Sequence, residues 1–101
     1  MFGDFKEKQE EMLQKLAAIT VEAEAGDDAV IVEANANKEI INITIDNTKV
    51  DLSDKEQLED LILIAVNRAI ELAKSKEQEA TQNMIQDLLP PGMGDLGNLF
   101  E

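Results

Sequence analysis

The sequence predicts an α+β fold of order α-β-β-β-α, and three observations carry that prediction. A run of helical periodicity from Ser53 to Asn83 is the longest in the chain. Three short segments between Ile19 and Asp46 alternate apolar and polar residues. The opening residues, Met1 to Ala18, place Phe2, Phe5, Met12, Leu13 and Leu16 on one narrow stripe at helical spacing.

The first element is therefore an amphipathic helix. Lys8, Glu11 and Lys15 line one of its edges at i, i+3 and i+7. That spacing suits intrahelical ion pairing worth about 0.2–0.5 kcal/mol per pair. A sharper use of the same edge is a pair of lysines set to contact phosphates.

Ile19, Val21, Ala23 and Ala25 alternate with Thr20, Glu22 and Glu24, and the run ends at the turn-forming Gly26-Asp27-Asp28. Val30, Val32, Ala34 and Ala36 continue the pattern. After the polar turn Asn37-Lys38-Glu39, so do Ile41, Ile43 and Ile45, with Asn42, Thr44 and Asp46 opposite. Tight turns between consecutive strands give a three-stranded antiparallel meander with one apolar and one acidic face. The long helix is expected to cover the apolar face, reached through a loop from Asp46 to Leu52.

Ser53 followed three residues later by Glu56 has capping-box spacing and marks the start of that helix. At about 100° per residue, Leu58, Leu61, Ile62, Ala65, Ala69, Leu72 and Ala73 share a face, with Leu63, Val66 and Ile70 on the adjoining flank. The combined arc, roughly 200°, is about twice what packing on one layer requires. The surplus flank, Leu63, Val66 and Ile70, predicts a homodimer interface shared with apolar positions of the sheet. A helix of about 30 residues is also roughly 45 Å long, too long for a compact domain of this size, so its far end should project.

Pro90-Pro91-Gly92 and two further glycines stop any helix after Leu89. Residues 1–89 are thus expected to form a single α+β dimerising domain and residues 90–101 a flexible tail.

With 44% hydrophobic and 31% charged residues the chain is of globular type. It has no cysteine and no histidine, which excludes disulfides, thiolate metal sites and histidine-based catalysis from its chemistry. Ser53 reads as a cap and Ser75 as helix surface, with no base to activate either. Asp46, Asp51 and Asp54 lack the alternate spacing and glycine of a calcium loop, and Gly92-Met93-Gly94 does not link a strand to a helix as a phosphate loop would. The expectation is a non-enzyme without cofactor or metal. The longest apolar run, Leu61 to Val66, is too short to span a bilayer, and a cytoplasmic protein is expected. The net charge of −13 favours partners other than polyanions, such as a basic protein bound by an acidic dimeric adaptor or scaffold.

The order of elements is matched by residues that carry a family likeness. These are the opening Met1-Phe2-Gly3, Ile45-Asp46 at the end of the third strand, the run from Asp54 to Ile62, the Ala65-Val66-Asn67 step, and Leu89-Pro90-Pro91-Gly92. Across essentially its whole length the chain resembles the YbaB/EbfC family of nucleoid-associated proteins. The resemblance implies a tweezer-like homodimer with projecting long helices and duplex DNA as partner, bound weakly and with low sequence specificity. The cations available for that role are Lys6, Lys8 and Lys15 on the first helix and Arg68, Lys74 and Lys76 on the last. With three phenylalanines and no Trp or Tyr, stacking on exposed bases is a poor alternative.

Overall fold

A computed structural model describes residues 2–88, with side chains from Lys6 to Gln86. The element order is α1 (Phe2–Ala17), β1 (Thr20–Ala25), β2 (Val30–Asn35), β3 (Ile40–Ile45) and α2 (Lys55–Leu88). The strands form one antiparallel sheet in the order β1-β2-β3. This is the expected α-β-β-β-α architecture. The expected tail at 90–101 lies outside the described residues.

The β1–β2 turn uses three consecutive left-handed residues, Gly26, Asp27 and Asp28, a conformation that Gly and Asp tolerate best. Gly26 meets a second demand, since a Cβ there would stand 3.0 Å from Leu61 Cδ2. The Asp28 amide donates to Glu24 Oε2 at 2.8 Å and closes the turn. At the β2–β3 turn, Lys38 is left-handed. The buried Asn35 holds this turn, its Oδ1 accepting from the amides of Asn37 and Glu39.

The inward side chains of β1 and β2 are mostly small. Ala23, Ala25, Val30, Val32 and Ala34 meet Ala65, Ala69 and Ala73 of α2, and these eight make the buried core. Alanines at i, i+4 and i+8 fall on one helix stripe, so α2 lies close on the sheet. Leu58, Leu61, Ile62 and Val66 pack around this seam. Leu72, expected on the same face, is 45% exposed, because α2 turns it past the edge of β1.

The sheet is not covered evenly. α2 crosses β1 and β2 and barely touches β3. Ile40, Ile41 and Ile43 consequently stay 38–49% exposed, which corrects the expectation that the long helix covers the whole apolar face. The register also differs from strict alternation. Ile43 and Ile45 pair with Val32 and Val30, but a bulge makes Ile40, and not Ile41, the partner of Ala34.

Two boundaries of α2 are corrected as well. Asp54, not Ser53, caps the helix, with Oδ1 accepting the Gln57 amide at 3.2 Å. Ser53 is engaged elsewhere, since its amide and hydroxyl both donate to Asp51 Oδ1. At the other end α2 passes Asn83 and runs to Leu88. Half-buried Ala80 and Met84 continue the periodic stripe there, so the helix has packing to sustain it.

The C-terminal end of α1 is fastened to the sheet. The Ala36 amide donates to the carbonyls of Leu16 and Ile19, and Asn37 Nδ2 donates to the Leu13 carbonyl. Only Leu16 of its described apolar stripe is buried; Met12 is half-buried and Leu13 is 51% exposed. The same turn contacts α2 through the 3.1 Å pair Lys38–Glu77. Beyond this junction α1 and the last turns of α2 form a projecting two-helix arm. The radius of gyration, 18.6 Å, exceeds the roughly 13 Å of a compact chain this long, as the helix length requires.

Candidate nucleic-acid interface

Lys8 and Lys15 lie seven residues apart, two turns along the same face of α1. They face the last turns of α2 across a groove of about 370 Å³ lined by Lys8, Glu11, Met12, Lys15, Thr81, Met84 and Ile85. The expected pairing of these lysines with Glu11 is not formed. The three ion pairs among the described residues are Lys38–Glu77, Lys74–Glu71 and Lys76–Glu79. Lys6 is exposed on the same helix, nearer its N-terminal end.

The groove between the helices differs in charge from the other surface grooves. Among the described residues its lining carries two cations and one carboxylate. The groove beside β1 has Arg68 against Glu24 and Glu71, and the one beside the β3–α2 loop has Lys49 against Asp28 and Asp46. On the outer sheet face, Glu22 stands directly opposite Glu33, and like charges so placed repel an approaching polyanion as well as each other. Among the described residues the arm groove therefore opposes an anion less than these grooves do.

The three α2 cations have local partners. Arg68 Nη1 donates to the Glu24 carbonyl at 2.8 Å, tying the helix to the edge of β1. Lys74 and Lys76 stand 3.7 and 3.5 Å from Glu71 and Glu79. Both pairs are well exposed, and such pairs are worth at most about 1 kcal/mol, so a phosphate can compete for these lysines. Arg68 lies on the β1 flank of α2, away from the lysines of α1, so the six candidates do not form one surface.

Leu63, Val66 and Ile70 occupy the opposite flank of α2 from Arg68, at about 100° per residue, and so face the β3 side. Leu63 is 59% exposed, and Val66 and Ile70 are half-buried. The flank and the open isoleucines of β3 thus share one side of the subunit, where the sheet has no helix above it. Helical spacing alone places Leu63, Val66 and Ile70 on this flank. The groove is hidden when α2 is ended at Asn83, which removes Met84 and Ile85; the spacing Ala73, Ala80, Met84, Leu88 is the signal in the sequence that extends the helix.

Two carboxylates elsewhere are tuned by their own turns. The Thr48 hydroxyl and amide both donate to Asp46 and hold its carboxyl below the usual range, with Lys49 adding to the effect. Ser53 does the same for Asp51. Among the described residues no group of His, Cys, Asp or Glu is arranged to hold a metal, and no helix is long and apolar enough to cross a membrane.

Fold and groove together define a small α+β protein with a projecting arm that carries a cation-lined cleft on an otherwise acidic body. The pattern of the YbaB/EbfC DNA-binding family matches residues 1–88, and the chain belongs to that family. It is 43% identical over 99 residues to a nucleoid-associated protein of Acidobacterium capsulatum, with 92% of each chain covered. A nucleoid-associated protein of Thermodesulfovibrio yellowstonii is 44% identical over 82 residues, covering 81% of this chain and 72% of the relative. The fold is shared with an uncharacterized protein from Helicobacter pylori, at a TM-score of 0.67 and 20% identity over 83% of this chain and 88% of that one.

Proposed function

We propose that this protein is a nucleoid-associated homodimer of the bacterial cytoplasm that binds duplex DNA weakly and with low sequence specificity. The observation that carries the reading is the placement of Lys8 and Lys15 on the wall of a groove whose described lining holds two cations and one carboxylate. Membership of a DNA-binding family supports the choice of polyanion.

Lys8 and Lys15 hold backbone phosphates, with Lys6 farther along the same helix. Lys74 and Lys76 assist after leaving their exposed glutamate partners, and Arg68 contributes least because it is bonded to the Glu24 carbonyl. Phosphate contacts position a protein without reading bases, which accounts for low specificity. The net charge of −13 opposes every encounter and keeps the affinity low. The dimer joins the two arms through Leu63, Val66, Ile70 and the open isoleucines of β3, giving the tweezer shape.

A fluorescence-anisotropy titration with duplex DNA across a salt series tests this. With the three α1 lysines of each subunit contacting phosphate, log Kobs should fall against log salt with a slope of about −5, and with Lys74 and Lys76 added, no steeper than about −9. Changing Lys8 and Lys15 together to Glu should abolish binding and leave the dimer intact. No binding by the wild type at low salt, or binding that survives this double change, would overturn the proposal.

A further inference from the structure

β1 is an edge strand, with β2 on one side only. Its ladder to β2 runs for six residue pairs without a bulge. Antiparallel pairs alternate between those that exchange backbone hydrogen bonds and those that do not. The Ala36 amide donates to the Ile19 carbonyl at 2.9 Å, so Val21, Ala23 and Ala25 bond to β2 in the same phase. Thr20, Glu22 and Glu24 therefore direct their amides and carbonyls out of the sheet. The Arg68 guanidinium on the Glu24 carbonyl agrees with that phase, as does the Asn35 amide, which turns away from Thr20 to the Glu39 carbonyl. Of the outward groups on these three residues, only the Glu24 carbonyl has a partner among the described residues.

We propose that this edge receives an extended segment of a basic partner protein, added as a fourth strand, in which Lys or Arg alternates with apolar residues.

The two faces of the sheet fix that chemistry. An added strand lies about 4.8 Å from β1, and its side chains alternate between the faces. On the outer face they stand beside Glu22 and Glu24, with Glu33 opposite Glu22 on β2. Thr20 to Ala25 contains no Lys or Arg, so a cation arriving there is paired and a carboxylate is repelled. On the inner face they enter a groove of about 570 Å³, where Ala23 and the 45% exposed Leu72 offer apolar surface.

The same charges reject a second copy. Two β1 strands paired antiparallel would set glutamates beside glutamates on one face, and like charges so placed destabilise a strand pair. Sheet edges are ordinarily guarded by proline, lysine or a bulge, and β1 contains none of these. Its guard is the glutamate pair, which turns away acidic edges and admits basic ones. β1 and β3 are opposite edges of the sheet, so a subunit dimerised on its β3 side keeps this edge open. DNA binding plays no part in the inference.

The probe is a synthetic peptide alternating lysine and valine, titrated into the full-length protein and followed by amide NMR and hydrogen exchange. In the free protein the amides of Thr20, Glu22 and Glu24 should exchange at least about tenfold faster than those of Val21, Ala23 and Ala25. Equal protection at every concentration would mean that the chain covers its own edge, and protection that grows with protein concentration would give the edge to a second copy; either overturns the proposal. Added peptide should shift and protect the amides of Thr20, Glu22 and Glu24, and a peptide alternating glutamate and valine should not. Equal responses to the two peptides, or shifts confined to other elements, would overturn it. Glu22→Gln removes one charge and keeps the outward amide, whereas Glu22→Pro also removes that donor and leaves the β1–β2 bonds in place. The first should weaken peptide binding about two- to fivefold and the second should abolish it, with circular dichroism checking the fold. Equal weakening by the two would mean that the peptide lies on the acidic face without joining the sheet, and would overturn the strand addition. A lysine–valine peptide N-methylated along its backbone makes the same distinction with the wild-type protein: it keeps its charges, cannot donate to the edge, and should bind no better than the glutamate peptide. Undiminished binding of the methylated peptide would overturn the proposal.

Discussion

Leu63→Glu should convert the dimer to a folded monomer. In the subunit Leu63 is 59% exposed, so a glutamate there stays solvated and, as a good helix former, costs the fold little. In the proposed dimer the same position is buried on the β3 side. Losing the remaining burial of Leu63 forfeits about 1–2 kcal/mol per subunit, taking about 1.5–3 kcal/mol for a whole leucine side chain. Burying a carboxylate without a partner adds at least about 2 kcal/mol. A two-fold interface counts each change twice, so dissociation should rise at least about ten-thousandfold at roughly 1.4 kcal/mol per decade. Sedimentation velocity at micromolar concentrations, where a shift of that size separates dimer from monomer, reads the state, and far-ultraviolet circular dichroism confirms the fold. A wild type sedimenting as the 11.2 kDa monomer would refute the dimer. A variant that remains dimeric would place the interface elsewhere.

Two other outcomes test the reading of the fold. Ala69→Leu adds three carbons where α2 meets the sheet with no free surface; overpacking of about 1–3 kcal/mol should lower Tm by about 4–24 °C, whereas Gln78→Leu on the exposed face should leave Tm nearly unchanged, and equal effects of the two would contradict the alanine seam. Asp46 and Asp51 have folded-state pKa values below the ordinary range, so their contribution to stability is fully present above the unfolded value near 3.9 and is lost as pH falls through the folded value. A carboxyl-carbon NMR titration should find both below ordinary aspartates. Thr48→Val should return Asp46 toward the usual range and leave Asp51 in place, and an Asp46 that titrates normally in the wild type would show that the Thr48 contacts do not form in solution.

The element order is legible in the residues alone, because period-2 and period-3.6 apolar patterns report local geometry and the turn residues between them report reversals. Val30, Val32, Ala34 and Ala36 alternate because a strand has two faces, and all four are buried as read. Ala65, Ala69 and Ala73 mark the buried stripe of α2 for the same reason. Which faces are covered depends on how wide the elements are and how far they overlap, and that emerges only on packing. One helix is narrower than three strands, so α2 covers β1 and β2 and leaves Ile40, Ile41 and Ile43 open; a residue's apolar character says it prefers burial, not whether a layer lies above it. The bulge that puts Ile40 opposite Ala34 is a choice of register, which a run of consecutive isoleucines leaves undetermined. The roles of the cations were hidden likewise. Arg68 and Lys15 look alike in sequence, but the first is spent on the carbonyl of a strand 44 residues away and the second faces a groove that exists because two distant segments run antiparallel out from the sheet.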